Sequence, residues 1–171
     1  MKVMGLGVEI LMEFDKNKID QKLLFMNTCL NKLKKLKALD KNTFLEDFTK
    51  VDSAKYLLQV SIEAMLDISS HLIARNRWGK PKDNKEHFQI LSDNAIIDIK
   101  DVSIYFNMAK FRNRIVHMYF NISDEMIYDI VQNNIGDFER FIANIARVII
   151  LFNIASEYKQ VKVLIRLCRQ F

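Results

Sequence analysis

A chain of 171 residues with one proline and four glycines has few places where its backbone can turn tightly. Sandwiches and barrels reverse direction every few residues and draw on Gly and Pro to do so. An all-β fold is therefore excluded. What remains is a chain of helices, and from Asp15 onward apolar residues recur at spacings of three and four. Half the residues are apolar, enough to bury a core rather than stay disordered. The length suits one domain.

The helices can be placed by their caps and breaks. Asp15 or Asn17 is expected to open a helix running to about Leu39, with Ile19, Leu23, Met26, Leu30, Leu33 and Leu36 on one face. Phe44 to Phe48 reads as a short helix. Asp52 or Ser53 is expected to cap a long one reaching Arg75. That helix is apolar nearly all round, which places it at the centre of its bundle. Trp78-Gly79-Lys80-Pro81 is the clearest turn. Short helices are expected over Lys85 to Ser92 and Glu125 to Val131, and longer ones over Asp98 to Met118 and Asp137 to Ala155. The expected architecture is an all-α antiparallel bundle of four main helices with short connectors. Residues 1–14 read as an N-terminal extension, 15–156 as the helical domain, and 157–171 as a basic amphipathic tail that could continue the last helix.

Net charge is +5, which permits a polyanionic partner such as RNA without demanding one. Lys32, Lys34, Lys35 and Lys37 spread around the first helix as a solvated face. Two distant cysteines, Cys29 and Cys168, make neither a disulfide framework nor a metal pair, and a reducing, cytoplasmic location is expected. Glu9 and Glu13 interrupt the apolar N-terminal run, and Phe141 to Ala155 carries Asn144 and Arg147 and is too short to span a bilayer. No membrane association is expected.

The chemistry-bearing segment is Asp98 to Phe120. Ile104, Met108, Phe111, Ile115 and Met118 form the expected core stripe. At about 100° per residue, Asn113 and His117 fall together on the opposite side, with Arg112 at the boundary, roughly 80° off the stripe. A His can move a proton near neutral pH, an Arg can stabilise charge growing on a phosphate, and an Asn can orient one. That set suffices for RNA cleavage in which the ribose 2′-hydroxyl attacks the adjacent phosphorus without a metal. One His is too few for separate acid and base roles, so a two-fold dimer bringing in a second His117 completes the site. On spacing alone, a solvated His beside an unrelated Arg is the better reading.

A second polar line, Gln59, Glu63, Asp67 and His71, runs at spacing four along the central helix. Three such groups at one spacing on one helix do not converge on a metal, and neither a metal nor another cofactor is expected. The line reads as a buried hydrogen-bonded seam, or as groups holding the catalytic side chains. In that second role Glu63 or Asp67 would orient Arg112 or Arg114.

The run Arg112-Asn113-Arg114-Ile115-Val116-His117-Met118-Tyr119 reads as Arg-x4-His-x-Tyr and resembles the signature of the HepT family of HEPN-domain toxins. Tyr56 to Ala64, Asp67 to His71, the Trp78 to Pro81 loop, Phe88 to Leu91 and Asp137 to Phe141 follow in family order. The likeness spans about Asp15 to Ile145. It implies a HEPN bundle, a homodimer and metal-independent endoribonuclease activity on an RNA substrate. It also implies neutralisation by MntA, a minimal nucleotidyltransferase antitoxin. Carried over by residue, the resemblance puts Arg112 and His117 in catalysis, with Asn113 as the polar residue after the motif Arg. It makes Tyr119 the acceptor of AMP, a bulky anion placed where an RNA phosphate must bind. A non-catalytic HEPN module that binds nucleotides or docks a nucleotidyltransferase is the alternative.

Overall fold

The computed structural model describes residues 12–117 and 122–168, the last ten of these as backbone alone. Seven helices and no strands occur among the described residues: α1 Lys16–Lys37, α2 Lys41–Leu45, α3 Phe48–Asn76, α4 Asn84–Asp93, α5 Ile99–His117, α6 Asp124–Asn133 and α7 Ile135–Cys168. The fold is all-α, with α1, α3, α5 and α7 as its long members. Their ends are written in the sequence. Asp15, Asp40, Asp47, Asp83 and Ser123 each sit in extended backbone and accept an N–H from the first turn of the helix that follows. Lys34, Lys35 and Lys37 meet the negative end of the α1 dipole.

Two of these caps move expected boundaries. Asp40 opens α2 at Lys41, ahead of the expected Phe44, and Asp47 opens α3 at Phe48, ahead of Asp52 or Ser53. Asp47 takes the Thr49 N–H at 3.0 Å, which satisfies an orphan donor one turn earlier than the later candidates could. At the other end Arg77 closes α3 in the left-handed conformation, φ 54°, and Gly79 follows at φ 118°.

α3 is the axis of the bundle and packs against α1, α2, α4, α5 and α6. It is long and apolar enough to cross a membrane by length and composition, yet 56% of that stretch is buried inside the protein. Its Leu58, Ile62, Met65, Ile68 and Leu72 meet Ile19, Met26, Leu30 and Leu33 of α1 in one continuous core. Tyr105 of α5 stands at its other side, 5.6 Å from the Phe88 ring and 5.4 Å edge-on from Phe141. Residues 12–14 are tied to this body: Glu13 N–H donates to Asn76 Oδ1 and the Asn76 amide returns a bond to the Glu13 carbonyl, both 2.9 Å. α7 starts at Ile135 and runs without a break through the basic tail to Cys168.

The core face of α5 is not the expected stripe. Ile115 is buried, but Ile104, Met108 and Phe111 are only half-buried, and Met118 lies outside the described residues. The deepest positions are Asp101, Val102, Tyr105 and Ala109. The helix is rotated toward Tyr105 because Asp101, a charged residue, belongs to the buried side. Its carboxylate accepts from Arg140 Nε at 3.0 Å while only 1% exposed. A count of apolar positions misses an inward-facing acid whose partner lies 39 residues away.

Candidate active site on helix α5

The rotation of α5 decides where Arg112 goes. Asp101, Tyr105, Ala109 and Arg112 follow at spacings of four, four and three, so Arg112 continues the buried line of α5 while itself staying half-buried. Its guanidinium meets Glu63 of α3, and the two form an ion pair through Nη2 and Oε2. Nη1 donates to Asn113 Oδ1 at 3.2 Å. Arg112 Nε is buried without a hydrogen-bond partner. The side chain is thus held from two sides, by Glu63 of α3 and by Asn113 of its own helix.

Asn113 and His117 are both exposed, one helical turn apart on the side away from the bundle. His117 is the last residue of α5. The Arg112–Asn113 hydrogen bond joins the inward Arg to this outward pair. Arg114 is half-buried, with its Nη2 4.0 Å from Met126 Sδ of α6. Tyr119, the motif tyrosine, lies outside the described residues.

The polar line on α3 divides. Glu63 serves α5, as one of the readings of the sequence anticipates. Asp67 goes to α1, where it pairs with Lys22 at 2.5 Å. His71 Nε2 accepts the backbone N–H of Asp15, the α1 cap, at 2.9 Å. The seam is half open to solvent, not buried: the Glu63 and Asp67 side chains are 44% and 49% exposed. It is open because α1 carries polar Lys18, Gln21 and Lys22 opposite it, and a groove of about 490 Å³ runs between the two helices. Among the described residues no three His, Cys, Asp or Glu side chains gather as metal ligands would.

Sequence reasoning passed over Lys18 and Lys22. Their signal was their spacing of four on the flank of the α1 apolar face, next to a helix carrying an acidic line. Glu63, the partner of Arg112, lines the groove together with Asp67, Lys18 and Lys22. The Arg112 and Glu63 side chains are partly exposed, 24% and 44%, while Glu63 Oε2 and Arg112 Nε themselves are buried. Burial, followed by the charges of Lys18 and Arg75, holds the His71 imidazole below its usual range. His71 is thereby fitted to accept a hydrogen bond rather than to carry charge.

Comparison with known proteins places this site in context. A family model for ribonuclease HepT-like proteins matches residues 26–145, from the middle of α1 into α7. The mRNA nuclease HepT of Shewanella oneidensis is 29% identical over 124 residues, which are 72% of this chain and 92% of that protein. The tRNA nuclease HepT of Aphanizomenon flos-aquae is 26% identical over 110 residues, 64% of this chain and 75% of its own. Among solved structures, the tri-AMPylated Shewanella oneidensis HEPN toxin in complex with MNT antitoxin superimposes with a TM-score of 0.71 at 28% identity. That likeness covers 78% of this chain and 99% of the toxin.

Proposed function

Because the chain belongs to the ribonuclease HepT-like family, we propose that it is the toxin of a toxin–antitoxin pair and cleaves RNA without a metal. The observation that carries this reading is the convergence on α5. Arg112 is paired with Glu63 of α3 and donates to Asn113, which shares the exposed side of α5 with His117 one turn on. The RNA 2′-hydroxyl is the nucleophile. His117 moves the proton, Arg112 takes the charge that develops on the phosphorane, and Asn113 holds a phosphate oxygen. The products are a 2′,3′-cyclic phosphate and a free 5′-hydroxyl. A two-fold pair of chains supplies His117 twice, one as base and one as acid.

Neutralisation is assigned to a minimal nucleotidyltransferase that transfers AMP to Tyr119. The support is the motif position, two residues after His117, together with the AMPylated state of the Shewanella relative bound to its MNT antitoxin. In the transfer the Tyr119 oxygen bonds to the α-phosphorus of ATP, pyrophosphate leaves, and the phenol proton passes to solvent.

Two experiments test the reading. Purified protein incubated with RNA in EDTA is expected to cut and to leave 2′,3′-cyclic ends. Activity that needs added Mg²⁺, or plain 3′-hydroxyl products, overturns the mechanism. Co-expression with the nucleotidyltransferase is expected to add AMP to the peptide holding Tyr119 and to none in Tyr119→Phe. Modification confined to Tyr105 or Tyr128 overturns the assignment.

A further inference from the structure

The groove of about 490 Å³ between α1 and α3 takes no part in the chemistry assigned to α5, yet the two share a residue. Its α3 wall includes Glu63, the carboxylate that pairs with Arg112. Its α1 wall carries Phe25, which is 45% exposed, and half-buried Val60 and buried Ala64 give it an apolar floor. A lone exposed aromatic on a helix needs no explanation. One that lines a groove with an apolar floor offers a ring on which a flat ligand can stack. The volume is that of a site for one small ligand, with room for a single nucleoside rather than a length of strand.

The charges of the groove say what kind of ligand. Lys18 and Lys22 stand with Glu63 and Asp67 along it, so its walls cancel. A row of phosphates needs a surplus of cations along its path, and a neutral base does not. Lys22 is already engaged by Asp67 Oδ2 at 2.5 Å, and Arg112 by Glu63 Oε2. Each pairing leaves the carboxylate its other oxygen, which accepts hydrogen bonds and donates none. Two such acceptors, one turn apart on α3, select a base whose pairing edge donates. Guanine carries a ring N–H and an amino group side by side on that edge. Uracil carries a carbonyl on either side of one N–H, and the carboxylates repel it. Lys18 is exposed and makes no ion pair among the described residues, which leaves its ammonium for a phosphate flanking the base.

We propose that the α1–α3 groove seats a guanine base of the substrate RNA, stacked on Phe25 and read by Asp67 and Glu63. The proposal rests on the RNA cleavage assigned to α5 and adds a choice of sequence to it. Glu63 joins the two, because it lines the groove and holds Arg112. A base against Glu63 is tied through its ribose to a phosphate beside that guanidinium, so the base that is read neighbours the phosphate that is cut. Stacking on Phe25 accepts any base, and the carboxylates supply the selection.

Binding can be measured apart from cleavage with 2′-O-methyl octamers of uridine, with and without one central guanosine, because the methyl group blocks the nucleophile. Titrated into the full-length protein and followed by fluorescence anisotropy, the guanosine octamer is expected to bind about tenfold more tightly than the all-uridine one. Phe25→Ala should weaken the guanosine octamer about tenfold with the fold intact by circular dichroism. Asp67→Asn adds an amino donor that uracil can accept, so the guanosine preference should shrink by about threefold or more. A merely structural role for Asp67 would weaken both octamers alike. Lys18→Ala should weaken both alike and lower the salt slope by about 0.7. Equal affinity for the two octamers overturns the proposal, as does a preference that survives intact in Phe25→Ala and Asp67→Asn. Loss of binding to the nucleotidyltransferase antitoxin in Phe25→Ala, with octamer binding unchanged, gives the groove to the antitoxin and overturns it too. A protein that prefers the guanosine octamer but leaves unmethylated RNA whole overturns the cleavage on α5 and upholds the groove.

Discussion

Helix α5 carries an arginine–carboxylate pair near each end, and the two behave oppositely. At the start, Asp101 is 1% exposed and held by Arg140 Nε at 3.0 Å. Near the end, Arg112 meets Glu63 with both side chains partly in water, 24% and 44% exposed. The first pair sits beside Tyr105, whose phenol is driven upward by burial and then by the Asp101 charge. It closes a core, since removing Arg140 strands the Asp101 charge in low dielectric. The second can open, because water pays most of the exchange. A fold that needs a rigid helix and a releasable arginine has put one pair in each setting. Similar chemistry becomes a strut or a grip according to how much water reaches it.

The largest expected contrast is between the two arginines. Arg112→Ala should cost about 10²–10⁴-fold in RNA cleavage, the range for losing one charge-stabilising or proton-moving group, while its thermal midpoint moves little. His117→Ala should match it. Arg140→Ala should do the reverse and destabilise the protein by about 3 kcal/mol, because Asp101 is left buried and unpaired. For a chain of this size that lowers Tm by roughly 6–12 °C. Adding Asp101→Asn to Arg140→Ala should recover most of the loss, because the buried charge is gone. Calorimetry and a gel-based RNA assay on the same preparations measure both sides. An Arg112→Ala protein that unfolds as readily as Arg140→Ala would falsify the distinction.

Glu63 sharpens the comparison. If it aims Arg112 rather than merely anchoring α5 to α3, its loss should appear in kcat more than in KM. Glu63→Ala should lower kcat about tenfold, roughly 1.4 kcal/mol of transition-state stabilisation. Glu63→Gln keeps an acceptor for the guanidinium and should retain most of that. Equal losses in the two variants, or a change confined to KM, would mean that the arginine finds its pose without Glu63.

These contrasts also mark what the sequence could reveal. Helix existence and order were readable, and so was the Asp15 cap, because an Asp side chain satisfies the first-turn donors locally. The exposed positions of Asn113 and His117 followed from periodicity. The rotation of α5 did not, since it turns on Asp101 finding Arg140 across the fold, and a lone Asp in a helical run reads as surface. Arg112 still comes out half-buried, as an edge position does, but on the same line as Asp101 and Tyr105. The Glu63–Arg112 contact was within reach because both residues lay on lines already picked out. The Asp67–Lys22 and His71–Asp15 contacts were not, since both depend on how α1 lies along α3. Unbroken helix through residue 168 was hinted at by the apolar tail, and no Gly or Pro occurs there to stop it.

The smallest expected effect lies at the other end of the polar line, where a hydrogen bond rather than an ion pair joins α3 to its neighbour. His71 Nε2 accepts from the Asp15 N–H at 2.9 Å, and only the neutral ring can accept there. Burial comes first among the causes that hold its pKa below 6.5, then the charges of Lys18 and Arg75, with Asp15 opposing them. A His with a lowered folded pKa takes up protons more readily when unfolded. Its contribution is therefore complete above pH about 6.5 and declines as pH falls through that value toward the folded pKa. The hydrogen bond sets the scale at no more than about 1 kcal/mol, reduced further by the ring's access to water. Between pH 7.5 and 5.5 the amides of the first α1 turn should lose hydrogen-exchange protection before α3 does. Gln at position 71 offers a carbonyl oxygen that does not titrate. His71→Gln should therefore flatten this pH dependence while leaving the Arg112 pair and RNA cleavage as they were. Protection that falls equally in His71→Gln would place the acid sensitivity elsewhere.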